Sequence, residues 1–388
     1  MKGRLAVVLS ALVLAACAEP PSTPLPPVVG LNEAPLLMAR GPEGVPGQYI
    51  VVFRDDVEDA HGKAKAKAER AKGNLKHSYG DALKGFAAEL SDEAVAELRN
   101  DPDVAYIEQD QTVSINTTQT GATWGIDRID QRNRPLSGTY TYTATGAGVR
   151  AYIIDTGIRP THSQFGSRAS TVYGSNDCNG HGTHVAGTIG GSMYGVAKGV
   201  LLRGVRVLGC SGSGTWSGII AGVDWVRANH IKPAVANMSL GGGFSSSVNA
   251  AVNNLANAGV FVAVAAGNSN ANACNFSPAS ASAVTSVMSS TSSDAKSSFS
   301  NWGSCAHVYA PGSSITSAWH TSNTATNTIS GTSMASPHVA GVAALYKSSI
   351  GDHSSSTIRS WIINNATTNV ITGNPSGTPN RLLYKSTL

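Results

Sequence analysis

Charge is scarce in this chain of 388 residues: Asp, Glu, Lys and Arg make up 13% of it, against roughly 25% in an average soluble protein. Aromatic residues are also few, at 6%. With 41% hydrophobic residues and 42 glycines, this composition excludes a disordered chain, a coiled coil and a polytopic membrane protein. The net charge of +4 is too small to indicate binding to nucleic acid.

Glutamate is absent from residues 114–388, and this absence marks a boundary in the chain. That segment carries 16 Lys and Arg and seven Asp, a net charge of +9. Residues 48–113 instead carry 9 Lys and Arg and 14 Asp and Glu, a net charge of −5. The change in composition predicts two folding units that meet near residue 115.

The N-terminus has the pattern of an export signal over residues 1–17. Lys2 and Arg4 precede the apolar run 5–16, which is too short for a stable membrane-spanning helix. Two processing routes are open. The sequence Leu-Ala-Ala-Cys ending at Cys17 resembles a bacterial lipobox, whose Cys is lipidated, whereas Ala-Cys-Ala (16–18) fits ordinary signal cleavage. Either route predicts export. Residues 18–47 contain eight prolines and are predicted to form an extended linker.

Export determines how the other four cysteines are interpreted. Cys178, Cys210, Cys274 and Cys305 form an even set, which in an oxidising compartment favours disulfides over a metal site. Four cysteines allow three connectivities, and their spacing alone leaves the pairing open.

Residues 48–113 are predicted to form a small α+β unit. Strands are expected at 48–53, 84–90 and 104–108, and helices at 57–72 and 91–98, the second with Ser91 as its N-cap. A unit of this size is marginally stable alone. Its place before a larger unit in an exported chain suggests a binding module or a folding aid.

From residue 149 onward, apolar strands alternate with helices. The expected strands are 149–154, 200–208, 234–240, 260–266 and 284–288, and the expected helices are 215–231, 246–258, 331–348 and 356–365. This alternation predicts an α/β fold in which a buried, parallel sheet is covered on both faces. Ligands in such folds bind at the carboxyl ends of the strands.

Three polar segments lie at those ends. Asp155 ends the first strand, in Asp-Thr-Gly-Ile (155–158). His181 begins a helix, in His-Gly-Thr-His-Val-Ala-Gly-Thr (181–188), and Ser333 begins another, in Gly-Thr-Ser-Met-Ala-Ser-Pro-His-Val-Ala-Gly (331–341). Each alone fits a structural role as a helix cap or a core histidine. Together they supply the nucleophile, base and orienting carboxylate of acyl transfer to serine.

The three blocks, in this order, resemble the subtilase family, specifically its proteinase K branch with the aqualysin-like enzymes. The resemblance covers residues 117–388, and residues 48–113 resemble the inhibitory propeptide of the family. It implies a three-layer, subtilisin-like α/β fold with a mostly parallel central sheet, preceded by a ferredoxin-like α+β propeptide. The implied activity is that of a secreted serine endopeptidase, made as a zymogen, which cleaves extended protein substrates with broad specificity through an acyl-enzyme.

The resemblance also implies roles for individual residues. Ser333 is the expected nucleophile, His181 the general base, Asp155 the residue that orients the imidazole, and Asn268 a donor to the oxyanion. The segments expected to pair with the substrate backbone consist of Gly212, Ser213, Gly214, Ser239, Leu240 and Gly241. The propeptide is expected to be an intramolecular inhibitor and folding aid, and self-cleavage is expected around Asn116–Thr117.

Calcium is the implied cofactor, as a structural ion. The matching calcium loop consists of Asp127, Asp130, Gln131, Ser137 and Thr139, whose oxygen atoms suit a hard cation. A second calcium position of the family lacks its carboxylate here: His307 stands where relatives have Asp, beside carbonyls that align with Ser282 and Val284. The favoured disulfide pairing by resemblance is Cys178–Cys210 and Cys274–Cys305.

Other functions fit the residues less well. A zinc site at His181 and His184 is disfavoured because residues 114–388 contain no Glu to serve as its base. A serine esterase shares the triad, but Ser333 lacks the Gly-x-Ser-x-Gly elbow of that class. A non-catalytic binding module does not need an intact triad. Protein substrates are therefore the expected partners, and membrane attachment is expected only through lipid on Cys17.

Overall fold

The computed structural model describes residues 33–39, 44–111 and 117–388. The chain divides into two compact units, residues 1–113 and 114–388, at the position where the composition changes. Among the described residues, no helix is long and apolar enough to cross a membrane. The export signal 1–17 and Asn116 of the expected cleavage site lie outside the described residues.

The first unit is an α+β fold built on one sheet. Its strands follow the order β1-β5-β2-β4-β3, with β2 paired antiparallel to both β4 and β5. The elements are β1 (Leu36–Leu37), β2 (Gly44–Phe53), α1 (Ala60–Arg70), β3 (Asn74–Tyr79), β4 (Gly85–Glu89), α2 (Asp92–Arg99) and β5 (Val104–Gln111).

Two elements of this unit differ from the sequence prediction. Strand β3 was not predicted, because its mostly exposed, polar residues lie at the sheet edge and lack an apolar alternation. The linker prediction for 18–47 is wrong at its C-terminal end, since β1 pairs with β5 and β2 already begins at Gly44. Proline is compatible with this edge position because the Pro35 carbonyl still accepts the N–H of Ile107. Ser91 caps α2 as expected.

The second unit is a three-layer α/β fold. Its helices are α3 (Trp124–Asp130), α4 (His181–Gly190), α5 (Trp216–Asn229), α6 (Ser246–Asn257), α7 (Thr332–Ser349) and α8 (Ser355–Asn365). Its strands are β6 (Thr117–Thr120), β7 (Thr139–Tyr142), β8 (Arg150–Asp155), β9 (Ala169–Tyr173), β10 (Leu201–Arg206), β11 (Ala234–Met238), β12 (Gly242–Gly243), β13 (Phe261–Ala265), β14 (Phe276–Ser277), β15 (Thr285–Ser290), β16 (Val308–Pro311), β17 (Ile315–Ala318), β18 (Thr326–Ile329), β19 (Thr367–Thr368) and β20 (Arg381–Leu382).

The central sheet confirms the predicted mostly parallel arrangement. Its order is β19-β20-β16-β15-β13-β11-β8-β10-β9, and each neighbouring pair is parallel except β19 with β20. Along β8, Ala151 and Ile153 face a core shared with α4 and α7, whereas Tyr152 and Ile154 face a second core shared with α5 and α6. Because successive residues alternate between two buried faces, residues 151–154 are all apolar.

The strand order places a crossover point at β8. Strand β10 continues the chain on one side of β8 and β11 on the other, so the connections leave in opposite directions and open a crevice at the carboxyl edge. Asp155 ends β8, Ser239 follows β11, and Asn268 lies just after β13. The fold therefore brings these polar residues, far apart in sequence, to one edge.

Both disulfides have the pairing that the resemblance implied, Cys178–Cys210 and Cys274–Cys305. The first joins the loop before His181 to the loop after β10. The same loops are also linked by the Asn179 side chain, which donates to the Cys210 carbonyl at 2.9 Å.

An ion pair inside the second unit fastens α3 to the loop after β15. The side chain of Arg128 is fully buried, and its Nε and Nη2 donate to the two carboxylate oxygens of Asp294 at 2.8 and 3.1 Å. Its remaining donors reach the carbonyls of Gln131 and Arg132. These four hydrogen bonds replace the ones that the guanidinium would make to water in the unfolded chain.

Asp294→Asn is expected to lower the free energy of unfolding by about 3–5 kcal/mol, because it leaves a buried cation without its carboxylate. The control is Asp224→Asn, the same change on the exposed surface of α5, which is expected to stay within about 0.5 kcal/mol. Thermal melting measures both variants. Equal melting temperatures would show that the buried pair contributes nothing.

Candidate active site

Asp155 and His181 come together at the carboxyl edge of the sheet. Asp155 is fully buried, and His181 is the first residue of α4. His181 Nδ1 lies 2.7 Å from Asp155 Oδ1, and the N–H of Thr156 donates to the same oxygen at 2.7 Å. Because an ionised carboxylate only accepts, Nδ1 carries the proton, and Nε2 is left as the nitrogen able to accept one.

The surroundings of His181 raise its pKa above the ordinary histidine value. Burial alone acts in the opposite direction, since it disfavours the charged imidazolium. The charge of Asp155, the hydrogen bond from His181 to it and the charge of Asp177 together outweigh burial. The imidazole is therefore a stronger proton acceptor than a buried histidine without carboxylates.

Ser333 is the second residue of α7, and Ser239 fastens it to the same edge. The Ser333 hydroxyl donates to the carbonyl of Ser239 at 3.1 Å, and the Ser239 hydroxyl donates back to the carbonyl of Ser333 at 2.7 Å. Below them, the buried Asn237 amide joins the hydroxyls of Ser239 and Ser336. The N–H of Ser333 belongs to the first turn of α7, where N–H groups have no acceptor within the helix.

Thr332 fixes the orientation of the Asn268 side chain. Asn268 Oδ1 accepts both the N–H and the hydroxyl of Thr332 at 2.8 Å, and the Thr332 hydroxyl also accepts the N–H of Gly267 at 3.1 Å. Because Oδ1 is occupied by donors, the amide group presents Nδ2 on its other side, towards Gly331. An amide donor thus points to the N-terminus of the helix that carries Ser333.

A groove follows this edge of the sheet. One cavity of about 750 Å³ is lined by His181 and by both segments expected to bind substrate, 212–214 and 239–241. An adjoining cavity of about 200 Å³ is lined by Asn268 and Ser333. The segment after β11 lines both cavities, so they form one groove. Among the described residues, no charged side chain lines the smaller cavity.

His184, the other histidine of the same block, turns away from His181. Its ring is fully buried, and Nε2 donates to the carbonyl of Ile315 at 2.9 Å. Burial lowers its pKa to about 4, so this ring is neutral at ordinary pH. Within the described part of the chain, no three His, Cys, Asp or Glu side chains lie together as the ligands of a zinc site would.

In the expected calcium loop, hydrogen bonds join four of the five residues whose oxygen atoms could bind the ion: Asp127, Gln131, Ser137 and Thr139. Asp127 Oδ1 accepts the hydroxyl of Ser137 at 3.0 Å, and that hydroxyl lies 2.8 Å from the hydroxyl oxygen of Thr139. Gln131 Oε1 accepts the N–H of Ser137 at 3.2 Å. The fifth residue, Asp130, accepts the N–H of Thr141 at 2.7 Å.

Asp130 is in an unfavourable place for a charge. Burial raises the pKa of its carboxyl to about 6, and the charge of Asp127 acts in the same direction, while the N–H of Thr141 and the charge of Lys385 oppose this rise. Two carboxylates and three neutral oxygen donors close to one another are a donor set that suits a hard divalent cation. The loop therefore fits calcium in its chemistry.

The region around His307 does not fit calcium. His307 Nδ1 accepts the N–H of Ser286 at 3.1 Å, and its pKa is lowered to about 4 by burial and by Arg359 and Arg381. The carbonyls of Ser282 and Val284 both accept from Nη1 of Arg359, at 2.7 and 3.0 Å. A guanidinium thus occupies the carbonyl pair, and imidazole nitrogen is a poor ligand for calcium.

The sequence reasoning missed two residues that organise this site, Thr332 and Asp177. Thr332 lies inside the block 331–341, next to Ser333, so the motif contained it without indicating its contact to Asn268. Asp177 was available as one of the few carboxylates of the second unit, four residues before His181. A hydrogen-bonding network of this kind is visible only when the loops are placed in space.

Comparison with known proteins agrees with this geometry. Residues 146–382 match the Subtilase family, and residues 48–116 match the family Peptidase inhibitor I9. An "Extracellular serine proteinase" of Thermus sp. (strain Rt41A) is 52% identical over 372 residues, which cover 89% of this chain and 90% of that protein. Proteinase R of Parengyodontium album is 44% identical over 381 residues, 94% of this chain and 97% of its own length.

A solved structure is also similar to this chain. The crystal structure of a cold adapted subtilisin-like serine proteinase has 53% sequence identity and a TM-score of 0.67, and it covers 69% of this chain and 99% of its own. The family match, the relatives and the parallel sheet with its edge groove lead to one conclusion. The chain belongs to the subtilase family, as a secreted serine endopeptidase made as a zymogen with an inhibitor-type propeptide.

Proposed function

We propose that Ser333 is the nucleophile of this endopeptidase, with His181 as its general base and Asp155 as the residue that orients the imidazole. The observation that carries this assignment is the 2.7 Å hydrogen bond between His181 and Asp155, in a groove that Ser333 also lines. His181 Nε2 takes the Ser333 proton as the hydroxyl attacks the scissile carbonyl. It then returns that proton to the leaving amine, and water hydrolyses the acyl-enzyme by the reverse sequence.

The oxyanion of the tetrahedral intermediate is bound by two N–H donors. One is Nδ2 of Asn268, whose direction is fixed by Thr332, and the other is the N–H of Ser333 at the positive end of α7. In a subtilisin, removing such an Asn costs about 10²–10³ in turnover. Both donors are held in place before the substrate arrives, so no reorganisation opposes the reaction.

Substrate binds as an extended strand between the segments 212–214 and 239–241. These segments line the larger cavity on the side of His181, and their glycines let backbone approach backbone closely. Pairing through main-chain groups recognises any extended peptide. The smaller cavity, lined by uncharged residues such as Ala265, Ala266 and Phe276, favours an apolar side chain next to the scissile bond, because a charged one loses its hydration there.

Ser333→Ala is expected to accumulate as an uncut precursor, because cleavage at Asn116–Thr117 requires the chain's own nucleophile. Electrophoresis and N-terminal sequencing of the exported protein, made without any wild-type enzyme, measure this. The matched control is Ser356→Ala, the same change at an exposed position of α8, which is expected to mature normally. Normal processing of Ser333→Ala would contradict both the self-cleavage and the assigned nucleophile.

Calcium is proposed at the loop formed by Asp127, Asp130, Gln131, Ser137 and Thr139. The segment 127–139 supplies two carboxylates and three neutral oxygen ligands. Bound there, an ion would hold the segment between α3 and β7 and would offset the burial and the Asp127 charge that raise the pKa of Asp130. No such role is proposed near His307, because Arg359 already binds the carbonyls of Ser282 and Val284.

Asp127→Ala is expected to abolish most of the calcium-induced rise in melting temperature, whereas His307→Ala leaves that rise nearly intact. Saturation at a hundredfold above the dissociation constant contributes about 2.7 kcal/mol, or roughly 5–10 °C for a unit of this size. Calorimetry with and without chelator measures it, on enzyme first inactivated with a sulfonyl fluoride to stop self-digestion. Loss of tight binding in His307→Ala, or none in Asp127→Ala, would make the assignment wrong.

We further propose that Cys17 is lipidated, so that the precursor is tethered and self-cleavage after residue 116 releases the enzyme. The lipobox-like sequence ending at Cys17 supports this route, and export itself is shared by both routes. Maturation then acts as release from the membrane.

In the Ser333→Ala background, which retains the precursor, the chain is expected to partition into detergent and to carry fatty acid on its N-terminal peptide. Adding Cys17→Ser is expected to remove both properties, and globomycin is expected to block processing at this position. Mass spectrometry of the N-terminal peptide measures the modification. An unmodified N-terminus produced by ordinary signal cleavage would contradict the proposal.

A further inference from the structure

One carboxylate outside the three proposed catalytic residues carries an unusual number of hydrogen bonds. Asp177 Oδ1 accepts the N–H groups of Asn179 and Gly180 and the hydroxyl of Thr156, each at 2.9 Å. Asp177 Oδ2 accepts the N–H and the hydroxyl of Thr183, at 3.0 and 2.6 Å. Such bonds to an ionised acceptor are roughly twice as strong as neutral ones.

These donors come from both chain segments that carry the proposed acid–base pair. Thr156 directly follows Asp155, whereas Gly180 precedes His181 and Thr183 lies in the first turn of α4. The Thr156 hydroxyl donates to Asp177 and accepts the N–H of Gly182 at 2.9 Å, so it bridges the two segments a second time.

The packing between these segments leaves no space for adjustment. A Cβ on Gly182 would lie 2.0 Å from the carbonyl oxygen of Gly157, and a Cβ on Gly157 would lie 2.7 Å from the carbonyl oxygen of Ser175. Gly180, the N-cap of α4, has φ of 112° and supplies no side chain to cap the helix. Asp177 takes over that function, because its charge and its bond to the N–H of Thr183 satisfy the positive end of α4.

We propose that Asp177 is a positioning residue of the reaction, which fixes His181 relative to Asp155 and places a second negative charge behind the imidazole. This inference rests on the roles proposed above for His181 and Asp155. The carboxylate does not touch the reacting atoms. It acts through the loop 177–183 and through its field at the imidazole.

The negative charge of Asp177 affects the pH at which His181 can accept a proton. As a general base, His181 must be neutral, so activity falls when the pH drops below its pKa. Asp155 and Asp177 both raise that pKa against burial. His184, which also interacts with the ring, is neutral with a pKa of about 4, and His320 lies beside Gly180, where its Nδ1 would be 2.6 Å from an added Cβ. Loss of the Asp177 charge must therefore move the acidic limb of the rate profile to lower pH.

Asp177→Asn keeps the shape of the side chain but removes its charge and turns one acceptor oxygen into a donor that faces other donors. We expect kcat to fall by roughly 10–100-fold through misplacement of His181, with KM changed less than about threefold. We also expect the acidic limb of kcat/KM to move down by roughly half a pH unit or more. Asp224→Asn makes the same chemical change on exposed α5 and is expected to behave as wild type.

Two variants of Thr156 test the positioning effect of Asp177 without changing its charge. They remain informative if Asp177→Asn folds poorly. Thr156→Val removes the bridging hydroxyl from a fully buried side chain and keeps its shape, so kcat is expected to fall while the acidic limb stays in place. Thr156→Ser restores the hydroxyl and is expected to restore kcat. All variants are expressed as the full chain, allowed to mature and counted by active-site titration before rates are compared.

The outcomes distinguish this inference from the proposed function beneath it. If Asp177→Asn keeps the wild-type kcat and acidic limb and loses only thermal stability, Asp177 is structural and the inference is overturned. A Thr156→Val variant with wild-type kcat would overturn the positional part in the same way. If Ser333→Ala stays active, or wild type shows no acidic limb, the proposed triad itself fails.

Discussion

Residues 114–388 contain 16 cationic side chains but only seven carboxylate side chains, all of them Asp. Three of these carboxylates are buried or hydrogen-bonded at positions where their charge holds a cation or a loop in place. Asp155 holds His181, Asp177 holds the loop before it, and Asp294 neutralises the buried Arg128. Each of these carboxylates accepts from more than one donor. A single substitution at one of these carboxylates therefore removes several hydrogen bonds at once.

Most of the arginines in this unit bind main-chain carbonyls instead of carboxylates. Arg168 donates to the carbonyls of Gly190 and Val200, and Arg359 joins those of Ser282 and Val284. Because a guanidinium has five donors in a planar fork, it can satisfy several carbonyls together and needs no acid. At Ser282 and Val284 this arrangement has a chemical consequence. The carbonyls are already bound to a cation that belongs to the chain, so their stability does not depend on a metal.

Much of the fold was predictable from the sequence, and the reason is burial on both faces. Strand β8 is apolar over residues 151–154 and helix α7 is buried over residues 334–347, so both elements are visible in the sequence, and the observed bounds differ from the predicted ones by one residue at each end. Strand β3 was missed because it is exposed and polar. The linker boundary was misplaced because the proline content near Pro35 obscured an edge strand that uses carbonyl acceptors.

For the candidate site, the sequence indicated the residues but not the contacts between them. Asp155, His181 and Ser333 stand in long blocks whose residue order carries the chemistry, so they were visible without any structure. The contacts that orient them were not. Ser333 meets Ser239 across 94 residues, and Thr332 meets Asn268 across 64 residues. Such pairs become neighbours only when the parallel sheet brings the ends of its strands to one edge.

The position of His181 at the start of α4 illustrates why that orientation needs extra support. The first N–H groups of a helix concentrate positive potential, which by itself disfavours a protonated imidazole. Asp155 faces the ring, and Asp177 accepts the N–H of Thr183 in the first turn. The first carboxylate stabilises the imidazolium directly, whereas the second cancels the potential of the helix end. Two of the few carboxylates of this unit therefore lie at the start of α4, and both raise the pKa of His181 against the effect of burial.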